Sequence, residues 1–269
     1  MSTAAWAAAD PYTIALRAGR GPLFLRRADG WLLPLEVERW CARADLVDLD
    51  VLDRCEGAVL DVGCGPGRLV AELAARGRAV LGVDVSGTAV ERALRLGGPA
   101  LRRSVFEPLP GEGRWNTVLL MDGNVGIGGD PPALLDRVAE LLAPGGLLIA
   151  ETAPLDVDER AEVQVVDAVA TGGFGGSDGS NGFGGSDQSD ESGGSGGGFP
   201  WARVGSPALL RYARRARWRA AGQWAAGGRR FVALRSRSAS STAEAPKSTA
   251  VISSQRVRKP SGDSPVADR

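Results

Sequence analysis

Residues 59–67 read Val59-Leu60-Asp61-Val62-Gly63-Cys64-Gly65-Pro66-Gly67. The apolar run Ala58 to Val62 has the pattern of a short strand buried on both faces of a parallel sheet. It gives way to a loop with glycine at every second position. A helical stretch follows at once, Arg68-Leu69-Val70-Ala71-Glu72-Leu73-Ala74-Ala75. Strand, glycine loop and helix make the geometry that seats a nucleotide-like ligand against exposed backbone N–H groups. The glycines supply positive φ and remove the Cβ that would hold a ligand away from the chain.

The spacing is G-x-G-x-G, whereas the dinucleotide fingerprint is G-x-G-x-x-G, and Arg68 stands where that fingerprint has its third glycine. Asp61 lies two residues before the first glycine. Asp84 ends the next apolar run, Ala79-Val80-Leu81-Gly82-Val83, where a carboxylate can take ribose hydroxyls from the tip of the neighbouring strand. With both acids in view, VLDVGCGPG followed by GVDVS resembles the first two motifs of the class I S-adenosylmethionine-dependent methyltransferases.

Outward from this stretch, composition narrows the chemistry. The 269 residues are 43% hydrophobic, enough for a proper core, and Lys+Arg balances Asp+Glu at 32 each. Net charge therefore offers no bulk attraction to nucleic acid or membrane. Cys41, Cys55 and Cys64 are too few and too scattered for a disulfide framework or a zinc site, and no metal site is expected. There is no histidine, and the two lysines, Lys247 and Lys259, fall in a tail that reads as unstructured, so imidazole and Schiff-base chemistry are not expected. No apolar run is long enough to span a membrane and the start lacks a secretory pattern, so the expected location is cytoplasmic.

Three divisions are expected: an N-terminal helical cap over residues 1–56, a methyltransferase domain over 57–236, and a disordered tail over 237–269. In the cap, Asp10-Pro11 starts a short helix, Leu23–Arg27 and Trp31–Leu33 are extended, and Glu36–Arg43 and Leu46–Cys55 are helical. Asp45, Asp48, Asp50 and Asp53 read as a solvated acidic face. From Gly57 strands alternate with helices: strands over 58–62, 79–83, 100–103, 115–121 and 147–151, with Pro144-Gly145-Gly146 as a turn before the last. Residues 152–170 carry little periodicity. Residues 172–198 are almost entirely Gly, Ser, Asp and Asn and read as a flexible loop. Arg217–Trp224 and Arg229–Arg235 form a terminal hairpin. The fold class is α/β: a Rossmann-like, seven-stranded, mostly parallel sheet with a terminal antiparallel hairpin, the arrangement that the resemblance also implies.

The resemblance implies a role for each stretch toward S-adenosyl-L-methionine. Asp61, Gly63, Cys64, Gly65 and Gly67 pass near its amino-acid end, with Cys64 a small residue in a tight turn. Asp84 takes the ribose hydroxyls. Val85, Val105 and Phe106 flank the adenine; Val105 stands where many members carry an acid. Asp122 and Asn124, in the glycine-rich segment after the fourth strand, fall near the sulfonium or the acceptor. Tyr12, with Arg17, Arg20 and Trp31, belongs to the N-terminal segment that completes the acceptor pocket. Tyr12, Asp122 and Asn124 are the candidate catalytic residues. The implied activity is methyl transfer to a small-molecule acceptor, with membrane and nucleic-acid partners not expected. The alternatives are a non-catalytic S-adenosylmethionine-binding regulator and an NAD(P)-dependent oxidoreductase, the latter opposed by the glycine spacing.

Overall fold

A computed structural model describes residues 10–167 and 197–236. Most of the expected Gly/Ser loop, residues 1–9 and the expected tail lie outside the described residues. The N-terminal part holds three helices: α1 (Pro11–Ala18), α2 (Val37–Cys41) and α3 (Leu46–Asp53). Asp10 caps α1 by accepting from the Thr13 N–H at 2.9 Å, with Pro11 next in the first turn, where no N–H is needed. Asp45 and Asp48 cap α3 reciprocally: each side chain accepts from the other's backbone N–H.

Seven strands make the main sheet: β3 (Val59–Val62), β4 (Val80–Asp84), β5 (Ala100–Arg102), β6 (Trp115–Leu120), β7 (Leu142–Thr152), β10 (Arg219–Ala226) and β11 (Arg229–Arg235). Their order is β10-β11-β7-β6-β3-β4-β5. Strands β3 to β7 pair in parallel and β11 runs antiparallel to both its neighbours. This is the expected parallel sheet with its terminal hairpin. Strand β7 begins at Leu142, earlier than expected, because Leu142 pairs with Trp115 before a bulge at 143–146 and Leu147 then pairs with Thr117. The bulge takes in Gly145 and Gly146, the glycines of the expected turn.

Strand alternation splits the core into two layers. Leu60 and Val62 of β3, Val118 and Leu120 of β6, and Leu148 and Ala150 of β7 face α6 (Pro131–Leu141) and α7 (Ser206–Arg215). Val59, Leu119, Leu147 and Ile149 face the other way, onto Val51 and Leu52 of α3 and Leu69 and Leu73 of α4 (Arg68–Ala75). Helix α5 (Gly87–Arg95) follows β4 and is capped by Ser86.

A second sheet lies outside what periodicity showed. Strands β1 (Leu23–Arg27), β2 (Leu32–Pro34), β8 (Asp158–Asp167) and β9 (Phe199–Val204) pair antiparallel in the order β2-β1-β8-β9. The N-terminal hairpin is thus completed by a strand that follows β7 in the chain, with Arg26 opposite Gln164. The bridges Ile127 to Trp201 and Ala153 to Gly205 tie this sheet to the segments that follow β6 and β7. Among the described residues no helix is long and apolar enough to cross a membrane.

Candidate functional site

The glycine loop turns sharply at the end of β3. Gly63, Gly65 and Gly67 all have positive φ. A Cβ on Gly63 would sit 2.5 Å from Asn124 Nδ2, so no larger residue fits there. A Cβ on Gly65 would meet only the Tyr12 hydroxyl, at 3.9 Å, and the space before it is open. The loop's donors are not exposed as expected. The N–H groups of Gly63 and Cys64 both donate to the Val83 carbonyl, at 2.8 and 3.1 Å, and that of Gly67 to Cys64. The Gly65 N–H donates to Asp84 Oδ2 at 2.9 Å. A turn this tight, clamped to the end of β4, satisfies its own backbone.

Asp84 is consequently held from two sides, since the Ser86 N–H donates to Oδ1 at 2.8 Å. Each oxygen keeps a lone pair for a ligand hydroxyl. Burial pushes the Asp84 carboxyl up, while hydrogen bonds from the backbone of Ser86, Gly65 and Val85 draw it down and offset only part of the rise.

A cavity of about 500 Å³ opens over the carboxyl ends of the parallel strands, where open α/β sheets bind ligands. Of the expected residues, Tyr12, Gly63, Asp84, Val85, Val105, Asp122 and Asn124 line it together. Asp61, Cys64, Gly65, Gly67 and Phe106 are not in its wall. Asp61 shares the face of Val59 and is 1% exposed. Burial pushes the Cys64 thiol up. Gly67 caps α4, and Phe106 is exposed beside Gly128. Arg17 and Arg20 are on the surface, and Trp31 is flanked by the guanidinium groups of Arg27 and Arg203. The walls also include Leu25, Trp40, Val165 and Trp201, which sequence reasoning missed. Their signal was two tryptophans, Trp40 in an expected helix and Trp201 in a segment with no expected element; their meaning depends on the second sheet.

The polar end of the cavity rests on a buried ion network. Arg68, 5% exposed, reaches Asp48 through Nε and Nη2 at 2.8 and 3.2 Å, and Asp122 through Nη1 and Nη2 at 2.7 and 3.2 Å. Arg229, from the terminal hairpin, donates to Asp48 at 2.8 Å and to both oxygens of Glu151 at 2.9 and 2.7 Å. Arg39 Nη1 lies 2.9 Å from Asp122 Oδ1. Asp48 is fully buried, which corrects its reading as part of a solvated face: it points at α4, and two arginines replace the water it loses. Burial raises its carboxyl, but Arg68 and Arg229 overcome this and bring it down to about 2. Asp61 has no such partner. Its Oδ2 makes no hydrogen bond among the described residues, and burial, opposed only by Arg68, pushes it up to about 7.

Asp122 has φ of 56°, left-handed for a residue with a Cβ. Its N–H donates to Glu151 at 2.9 Å and its carboxylate is gripped by Arg39 and Arg68, which hold that conformation. Asn124 donates to the carbonyls of Val62 and Gly63 at 3.0 and 2.9 Å. Burial first, then the nearby Asp84 charge, pushes the Tyr12 hydroxyl up. Beside Asp122 a second compartment of about 230 Å³ adjoins the first, sharing Trp40, Asp122 and Trp201 and adding Arg39, Glu151 and Arg203.

The model of a family described as "Methyltransferase domain" matches residues 37–170. The chain belongs to the class I S-adenosylmethionine-dependent methyltransferase family. Among solved structures, the chain is similar to an S-adenosylmethionine-dependent methyltransferase from Bacteroides fragilis bound to S-adenosyl-L-homocysteine. That similarity covers 85% of this chain and 95% of the other, at 18% identity and a TM-score of 0.63, a likeness of fold. Among curated relatives, it is 33% identical over 99 residues to a ubiquinone biosynthesis O-methyltransferase of Chelativorans sp. (strain BNC1). The match takes in 35% of this chain and 39% of the relative's length.

Proposed function

We propose that this methyltransferase binds S-adenosylmethionine in the larger cavity and transfers its methyl group to a small molecule in the adjoining compartment. The observation that carries this reading is Asp84. It stands in the cavity wall with each oxygen fixed by one backbone N–H, and the space before Gly65 is open. A preset pair of acceptors of this kind suits a ribose diol.

Val85, Ser104 and Val105 would flank the adenine by packing and backbone groups. Gly63 and the pinned Asn124 would border the amino-acid end, with Asp61 acting on that end from behind the loop. Cys64, Gly65 and Gly67 would serve by forming the turn. When bound, S-adenosylmethionine supplies an electrophilic methyl group on a sulfonium, and alignment of the two reactants can supply up to ~7–11 kcal/mol of catalysis. Tyr12, Asp122 and Asn124 would position and exclude water. Burial keeps Tyr12 neutral, Asp122 is engaged by two arginines, and Asn124 has no basic atom. The O-methylating relative favours oxygen as the receiving atom.

Asp84→Ala tests the binding site. A charged hydrogen bond contributes ~1.5–3 kcal/mol, so S-adenosylhomocysteine should bind the variant at least tenfold more weakly by calorimetry. Equal affinities would remove the proposal. A methylated product seen by mass spectrometry would separate an enzyme from a binder.

A further inference from the structure

We infer that the compartment of about 230 Å³ takes the methyl acceptor as an uncharged, largely apolar molecule of about one substituted ring, and rejects its anionic and cationic relatives. This rests on the reading of the larger cavity as the donor site. Apolar side chains make most of the compartment's wall, among them Leu25, Leu33, Leu35, Val125, Trp40 and Trp201. A volume of about 230 Å³ suits one ring, since pockets for drug-sized molecules run to ~300–1,000 Å³.

Among the described residues, every charged side chain in that wall is already paired. Arg39 lies 2.9 Å from Asp122 Oδ1, and Arg68 donates to both oxygens of Asp122, at 3.2 and 2.7 Å. Glu151 accepts from Arg229 at both oxygens and from the Asp122 N–H at one. Arg203 donates to Glu159 at 3.0 Å and lies over the Trp31 ring. The Thr152 hydroxyl shares a hydrogen bond of 2.8 Å with that of Ser206. The Trp40 indole N–H and Arg39 Nη1 are buried, so neither is offered to a molecule in the compartment. Behind the wall the charges cancel as well: Arg39, Arg68 and Arg229 face Asp48, Asp122 and Glu151.

A charge brought into this space loses its water and finds no counter-charge. An anion would be unmatched beside arginines that already have their acids, and a cation would have to draw Asp122 or Glu151 away from an arginine. An uncharged molecule loses little hydration and covers the apolar wall. Asp84, the other acid at hand, lines the larger cavity and not the compartment. Only the methyl-receiving atom needs a polar neighbourhood. Its place is the boundary between the two spaces, where Trp40, Asp122 and Trp201 belong to both.

The test compares three probes of one shape at neutral pH: uncharged 4-methylphenol, anionic 4-hydroxybenzoate and cationic 4-hydroxybenzylamine. Each is titrated calorimetrically into the full chain saturated with S-adenosylhomocysteine. The expected result is that 4-methylphenol binds at least about tenfold more tightly than either charged probe, the mark of an uncompensated buried charge. Leu33→Lys places the selectivity in the compartment. Leu33 is half-buried on β2 and lines the compartment but not the larger cavity. An unpaired cation there should shift the ratio of the two affinities toward 4-hydroxybenzoate by about tenfold or more. The inference is overturned if a charged probe binds the wild type as tightly as 4-methylphenol, or if a chain that binds S-adenosylhomocysteine binds none of the three. It is equally overturned if Leu33→Lys, with wild-type affinity for S-adenosylhomocysteine, leaves the ratio unchanged. If that variant does not fold, the wild-type ratio alone decides. Failure of the wild type to bind S-adenosylhomocysteine would instead defeat the donor-site reading, and the inference with it.

Discussion

Replacing Asp61 by asparagine should stabilise the protein above neutral pH and not below pH 4. Asp61 is 1% exposed, and its Oδ2 has no hydrogen-bond partner among the described residues. Beside it, Arg39, Arg68 and Arg229 already balance Asp48, Asp122 and Glu151, so an ionised Asp61 would be an unmatched fourth anion. Burial accordingly raises its carboxyl from the ordinary 3.8 to about 7. The sign follows directly. Between pH 4 and 7 the folded chain keeps a proton that the unfolded chain has released, so stability falls as pH rises through that window. At ~1.36 kcal/mol per pH unit the loss approaches ~4 kcal/mol by pH 8. Asp61→Asn abolishes this slope. If the new amide N–H groups find no acceptor, a cost of ~1–3 kcal/mol applies, but equally at every pH. The quantity to measure is therefore the change in the stability difference between pH 4 and pH 8. Thermal melts should show the variant gaining ~8–16 °C on the wild type over that range, at ~2–4 °C per kcal/mol. A difference that stays constant across pH would refute the reasoning.

Other outcomes follow from the same site. Arg68→Met leaves Asp48 and Asp122 short of a partner and should cost ~3–5 kcal/mol in denaturant unfolding. Asp48, brought from 3.8 down to about 2, contributes stability that is present above pH 4 and lost as pH falls from 4 to 2. By the same linkage this is ~2–3 kcal/mol, and Asp48→Asn should flatten that acid limb. Gly63→Ala forces a Cβ to within 2.5 Å of Asn124 Nδ2 at a φ of 70°. It should displace Asn124 and weaken S-adenosylhomocysteine binding at least tenfold, as read by calorimetry.

Strand β3, the glycine loop and Asp84 were legible because each depends on neighbours in the chain. A buried parallel strand shows as an apolar run, and a tight turn shows as glycines. The terminal hairpin was legible for the same reason, through its turn at 225–228. Asp48 was not. Its aspartate neighbours made a solvated face the simpler reading, and only the approach of Arg68 and Arg229, the latter 181 residues away, makes its burial tolerable.

By itself, then, the sequence determined the α/β alternation, the parallel sheet, and the residues at the tips of β3 and β4. Those are local patterns repeated along the chain. Tertiary structure decided the rest: that the N-terminal hairpin joins β8 and β9 in a second sheet, that Trp40 and Trp201 line one cavity, and that the glycine loop spends most of its N–H groups on Val83 and Asp84 of β4. It also decided that Asp61 is enclosed without a partner. Each of these depends on pairing across long separations, where a side chain's surroundings are set by segments its own neighbours do not encode.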